Sequence, residues 1–360
     1  MRTSAAERPF ASVAPAVLAV ALAVVLAVVI LLLLAAILAL SGFAVAPALT
    51  ALVRGAAGSS YAIFSATLIR ATPLILTGLA VALAFQGGIL NIGAEGQLLA
   101  GAAVAAAVAL GLGDSLGGMA LVIALAASSA GGAAWAAIPA WLRRRFGVLE
   151  VISTIMMNFV ALYAVSYLVR GPLQEPTHAY PQSSTLPAAT HLPILLPGTR
   201  LHVGFALAVL AACAAWFFVR NLAAGFRLRV VGVNPDAAAS AAGIDVPAVS
   251  MRTFLISGAL AGLAGGVELT GVTFALYENI SPGYGYTAIA VALLAGLHPG
   301  LVIVSGIFLG ALEAGAAGMQ REAGVPLVVV SVVEASIILA IVGARAVLAG
   351  QRRRTGAARA

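Results

Sequence analysis

Lysine is missing from this chain of 360 residues: all 19 basic side chains are arginine. A Walker-type nucleotide site needs a lysine to reach the phosphates, so that site is excluded. Schiff-base chemistry on a lysine is excluded with it. The single cysteine, Cys213, sits in an apolar run. It allows neither an internal disulfide nor a thiolate metal cluster. His178, His191, His202 and His298 lie in or beside loops, without metal-ligand spacing. Charge of either sign is scarce. Charged residues make up 9% of the chain, against about 25% in ordinary globular proteins. A water-soluble surface has nowhere to come from.

What is there instead is apolar sequence, 62% of the chain. This composition predicts an all-α integral membrane protein, because spans facing lipid must be apolar and satisfy their own backbone hydrogen bonds. Ten apolar segments stand out: 15–40, 61–85, 91–112, 116–142, 150–169, 202–219, 251–276, 284–297, 301–319 and 326–348. Arg2 and Arg8 precede the first, which is longer than the roughly 7–15-residue core of a signal peptide and reads as a retained span.

The arginines test the count. With the N-terminus inside, ten spans put 14 of the 19 arginines on the cytoplasmic side, among them Arg143–Arg145, Arg220, Arg227, Arg229 and Arg252. Arg54, Arg170, Arg200 and Arg321 fall outside. This is the asymmetry of the positive-inside rule, and it places both termini in the cytoplasm. The net charge of +7 is thus a membrane-orientation signal and not a nucleic-acid footprint. The expected organisation is a cytoplasmic segment 1–14, one transmembrane domain 15–348 and a basic tail 349–360. An extracytoplasmic loop, 171–200, holds six of the 16 prolines. A cytoplasmic loop covers 221–250.

Two segments are unusual. Residues 284–297 span about 21 Å at 1.5 Å per residue, short of a ~30 Å hydrocarbon core. Residues 61–85 contain Arg70 and Pro73. Short or interrupted spans tend to line cavities, where loose backbone groups find partners. A weak repeat relates Leu76-Thr77-Gly78 to Leu269-Thr270-Gly271, and Leu98–Gly101 to Leu293–Gly296. It matches spans two and three with seven and eight, which suggests a five-plus-five inverted repeat.

Polar side chains concentrate in three places. Asn91, Glu95 and Gln97 lie in a glycine-rich break between apolar runs; they read as a broken helix on a polar pathway, or as an interfacial loop. Tyr284, Tyr286 and Thr287 open the short segment; the rings suit stacking on a planar or sugar-like ligand, or anchoring at the interface. Thr154 and Asn158 share one helix face, toward a pathway or as helix–helix glue. In the cytoplasmic loop, Asn234 is a good N-cap, Pro235 suits the first helical position, Asp236 suits the positive end and Gly243 is a stop. The helix between them is almost all alanine, including Ala238 and Ala239. It has nothing of its own to bury, so its small face is expected to plug a groove on a partner. A helix lying on lipid would need large apolar residues that it lacks.

Residues 91–97, 151–158, 285–292 and the Gly232, Asn234, Ala238-Ala239, Gly243-Ile244 pattern resemble the permease subunits of bacterial ABC importers. The class is that of ribose, simple-sugar and branched-chain amino-acid importers, in its nucleoside-type branch, and the likeness runs over about 71–348. The resemblance implies a ten-span subunit in the inner membrane that pairs with a second permease, related or identical. It also implies a separate ATPase, carrying ATP and Mg, docked on the 234–244 helix with Gly232 and Ile244 at its flanks. An extracytoplasmic binding protein would deliver a small polar solute such as a nucleoside or simple sugar. No cofactor or catalytic residue is expected in this chain. An ion-coupled secondary transporter with inverted repeats is the alternative; it would need no coupling helix.

Overall fold

The computed structural model describes residues 35–326 and the isolated positions 32, 329, 331, 332, 335, 336, 339 and 343. The first and last predicted segments, with both termini, lie largely outside the described residues. Between them the chain is helical, and among the described residues its β pairing is confined to isolated bridges. In chain order the helices are α1 (Val45–Ala57), α2 (Ser60–Gln86), α3 (Ala94–Leu112), α4 (Gly118–Phe146), α5 (Glu150–Val169), α6 (Val203–Asn221), α7 (Ala223–Val233), α8 (Pro235–Ala242), α9 (Val246–Thr273), α10 (Tyr284–Leu294) and α11 (Pro299–Ala323). Seven of the described helices, α2 to α6, α9 and α11, are long and apolar enough to cross a membrane. The apolar helices α1 and α10 are shorter.

The segments predicted between 61 and 319 correspond to α2–α6 and α9–α11, with ends shifted by a few residues. Two helices were not foreseen. Residues 45–57, left outside the ten segments with Arg54 on the outer side, form α1. Residues 223–233, expected within the cytoplasmic loop 221–250, form α7, whose Leu228 and Val231 are buried. The Leu-Thr-Gly repeat does not occupy equivalent local structure. Leu76–Gly78 lie in regular α-helix, whereas Leu269–Thr273 is a π-helical turn closing α9.

The chain divides into two compact units, 56–314 and a smaller one comprising 1–55 with 315–360. In the smaller unit, Gly315 and Gly318 face Leu52 and Gly55, so small residues set the helix approach. The larger unit is built on α2 and α9. Leu74, Ile75, Leu76 and Leu79 of α2 are fully buried. Helix α9 carries Gly258, Gly262 and Gly266 at four-residue spacing; a side chain at 258 or 262 would overlap the backbone of α4 around Ser128–Gly132. The Ser128 hydroxyl donates to the Gly262 carbonyl across this seam. Apolar solvent gives spans no reason to associate, so such close packing and interhelical bonds supply it.

Candidate translocation site

Helix α2 stops where Gly87 and Gly88 follow Gln86, Gly88 at φ +72, a conformation that favours glycine. Ile89 is then buried beside Ala84, Ala140 and Phe254, which pins the break. Residues 89–93 are non-helical, and α3 begins at Ala94 rather than at Asn91. Backbone carbonyls take the Gly88, Ile89 and Asn91 amides, and side chains satisfy the Gly93 and Gly96 amides and the Ile92 carbonyl.

Asn91 is the centre of a side-chain network. Its Oδ1 accepts from the Gly93 amide at 2.9 Å and from Gln97 Nε2 at 3.1 Å. Its Nδ2 donates to Gln97 Oε1 at 3.0 Å and to Ser257 Oγ at 2.8 Å. Ser257 in turn donates to the Ala80 carbonyl at 2.8 Å, so α2, the break, α3 and α9 share one network. From α5, Asn158 Oδ1 accepts from the Gly96 amide at 2.8 Å and its Nδ2 donates to the Ile92 carbonyl at 2.9 Å. The same Nδ2 lies 3.4 Å from Tyr286 Oη.

The carboxylate of Glu95 closes the arrangement. Its Oε2 accepts from the Gly285 amide at 2.7 Å, with the Ser281 side chain beside it. Ser281 Oγ accepts from the Gly283 and Tyr284 amides at 3.1 Å. The acid therefore sits where the first turns of α3 and α10 meet, and both positive helix ends favour it. A side chain at 285 would overlap the Glu95 backbone, which makes glycine obligatory there. Of the predicted pathway residues, Asn91, Glu95, Gln97, Thr154, Asn158 and Tyr284 are buried. Thr154 bonds back to the Glu150 carbonyl of its own helix, at 2.7 Å. Tyr286 is 46% exposed and Thr287 half-buried.

Sequence reasoning missed Ser257, a single small residue with no motif around it, and gave no role to Ser281 or to Gly285 of the 285–292 motif. It also missed an open face on α5. Phe159, Tyr163 and Tyr167 are exposed, the two tyrosines by 70% and 71%, and recur every fourth residue beside buried Asn158. That spacing was legible and was not used.

At the opposite end from Tyr167, the loop helix forms as its caps dictate. Asn234 Oδ1 accepts from the Ala237 amide at 3.0 Å, Pro235 is first in α8, and Gly243 ends it at φ +60. One expectation is corrected. Ala238 is fully buried within this chain and is not part of an open small face. Ile244 folds back, its amide donating to the Ala238 carbonyl at 3.0 Å, and α8 packs on α7 and α9. Asp236, Ala239 and Ser240 remain exposed. Gly232 is not on α8 at all. It ends α7 against the α2–α3 break: a Cβ at Gly88 would meet Gly232 Cα at 3.1 Å, and one at Gly232 would meet the Gly88 nitrogen at 3.0 Å.

On the far side, the 171–200 loop is stitched to the end of α9. The Ser183, Leu186 and Leu192 amides donate to the carbonyls of Leu276, Phe274 and Thr270 at 2.8–2.9 Å. Arg170 Nε donates to Glu278 at 2.6 Å, and Ser166 to the same carboxylate at 2.5 Å. These donors hold the Glu278 carboxyl below its ordinary range, Arg170 first and Ser166 second.

The family described as Branched-chain amino acid transport system / permease component matches residues 63–342. A guanosine ABC transporter permease protein of Bacillus subtilis is 40% identical over 327 residues, covering 89% of this chain and 93% of its own. A glucose ABC transporter permease protein of Haloferax volcanii is 39% identical, covering 76% and 74%. A nucleoside ABC transporter permease protein of Lactococcus lactis is 31% identical, covering 75% and 76%. No solved structure matches the chain. The membrane-length helices, the polar joint between α3 and α10 and this extent of similarity together make the chain a multi-pass member of the branched-chain amino acid transport system permease component family.

Proposed function

We propose that this protein is the translocation subunit of an ATP-driven importer for a nucleoside or simple sugar. The observation that carries the reading is the joint itself: two helices start against one buried carboxylate, Glu95, beside an open aromatic face on α5. Helix starts inside a bundle are places where polar groups can meet a solute. Phe159, Tyr163, Tyr167 and Tyr286 offer rings for stacking and hydroxyls for orientation. Asn91, Glu95, Gln97, Thr154, Asn158 and Tyr284 hold the wall behind them, and Thr287 extends it.

The chain pairs with a second permease, with α5 toward the shared pathway, and an extracytoplasmic binding protein delivers the solute at the 171–200 side. ATP and Mg belong to a separate ATPase subunit; this chain needs no cofactor and catalyses no chemistry. The ATPase docks on the exposed face of α8, where Asp236 and Ala239 lie. Motion then passes from α8 through Gly232 to Gly88, and so into the break that begins the Asn91 network. Differential affinity of ATP for the closed ATPase supplies the shift. The full chain has ten spans in a five-plus-five arrangement with cytoplasmic termini. Two helices that each close near a break, α2 before 87–93 and α9 before 274–283, support this.

The test is reconstitution with the ATPase and binding protein and measurement of ATP-dependent uptake of labelled guanosine, other nucleosides and glucose. Uptake of none of these, by an assembled and ATP-hydrolysing complex, overturns the substrate assignment. A cytoplasm-active reporter fused after Arg359 should be active; activity of a periplasmic reporter instead overturns the ten-span topology.

A further inference from the structure

A cavity of about 510 Å³ opens at the end of the bundle where α6 and α7 meet the turn between α10 and α11. It has no part in the translocation site. Arg220 reaches it from the last turn of α6, Arg229 from α7 and His298 from the turn, with Trp216 on its wall. No carboxylate lines it, and neither arginine has an ion pair among the described residues. The Arg220 guanidinium lies 5.5 Å from the centre of the Trp216 ring. The turn is held in place: Leu297 adopts φ +61, which a branched side chain rarely takes, and its carbonyl accepts from Gln86 Nε2. His298 is thereby presented at a set position.

We infer that this cavity binds a phosphate ester carrying an apolar or aromatic part. Two guanidinium groups and an imidazole, all on exposed residues, line it from three elements without a counter-charge. Guanidinium forks match phosphate oxygens in geometry as well as in sign. The volume exceeds what a single inorganic ion needs. Above the cavity, the α6 surface that continues from Trp216 is apolar and uncovered, with Leu210 65% and Phe217 53% exposed. An anionic phospholipid of the inner leaflet meets both demands, headgroup in the cavity and chains along α6. A soluble phosphate ester meets the first and can stack on Trp216. The inference rests on the importer reading only for placing this end of the bundle in the cytoplasm.

The experiment uses the full-length chain purified from phosphatidylglycerol-containing membranes. Native mass spectrometry follows lipid retained through stepwise delipidation, and Trp216 fluorescence follows titration with glycerol phosphate. The double variant Arg220→Gln/Arg229→Gln is compared with Arg229→Gln and with Arg227→Gln, which removes the same single exposed charge as Arg229→Gln at a position that does not line the cavity. Arg229→Gln alone, a change on an exposed helix surface, guards against misfolding of the double variant. Phosphatidylglycerol retention reduced about tenfold or more in the double variant, less so in Arg229→Gln and not in Arg227→Gln, supports a lipid site. Unchanged lipid retention with saturable glycerol phosphate binding that the double variant loses supports a soluble ester. Equal behaviour of all forms in both measurements overturns the inference. Uptake is not a readout here, so failure of this site leaves the importer reading standing.

Discussion

The Gly285 amide donates to Glu95 Oε2 at 2.7 Å, joining the first turns of two helices whose residues are 190 apart in sequence. A helix start leaves amides without intrahelical partners, and inside a bundle water does not reach them. Glu95 meets this need for α10 from outside it. The acid thereby also ties the start of α3 to the start of α10.

Removing the carboxylate leaves buried donors unpaired. Glu95→Ala is predicted to lower stability by about 2–3 kcal/mol, the range for losing a hydrogen bond to a charged group with an orphaned partner. Uptake should fall with it. Glu95→Gln keeps an acceptor and should lie between the two. Denaturation midpoints in detergent, with uptake in proteoliposomes, check this; wild-type values for Glu95→Ala would show that the joint bears no weight.

The contact between Gly232 and Gly88 makes a separate prediction. A methyl group at 232 collides with Gln86 and Gly88 backbone. Gly232→Ala should leave ATPase docking on α8 intact while stripping solute-stimulated hydrolysis and transport. Co-purification and turnover, measured together, read the two effects. Transport at the normal rate would place the coupling route elsewhere.

Within α8, neighbouring alanines should differ in kind. Ala239→Trp alters an exposed position and should abolish co-purification of the ATPase without unfolding the permease. Ala238→Trp overfills a buried position and should destabilise the permease itself, by about 1–3 kcal/mol. Thermal unfolding of the isolated chain separates them. Equal destabilisation by both would contradict the burial of Ala238.

The Arg170–Glu278 pair ties the C-terminal end of α5 to the segment entering α10. Its glutamate titrates below the ordinary value of 4.5 because Arg170 and Ser166 donate to it. The pair therefore contributes in full above that value and is lost as pH falls through the lowered folded-state value. Both side chains are partly in solvent, so the effect on stability is small. Wild type should lose more thermal stability between pH 6 and pH 3.5 than Glu278→Gln does, about these values being set by the carboxylate range. Identical pH profiles would show that the pair is not formed in solution.

Sequence alone determined the membrane class, the approximate spans and the caps of α8, because these follow from local composition and periodicity. Asn234 and Gly243 bracket a helix whatever surrounds it. The polar break at 87–97 was legible too, since asparagine, glutamate and glutamine stand out against hydrocarbon. Their partners were not. Ser257 matters only because folding brings it to Asn91, and although Gly285 stood in a recognised motif, nothing local showed that its amide meets Glu95. Burial of Ala238 was likewise beyond the sequence: it depends on how α8 lies against α7 and α9. Local propensity writes helices and caps into the chain; only the approach of distant backbones decides which polar groups meet and which small side chains are covered.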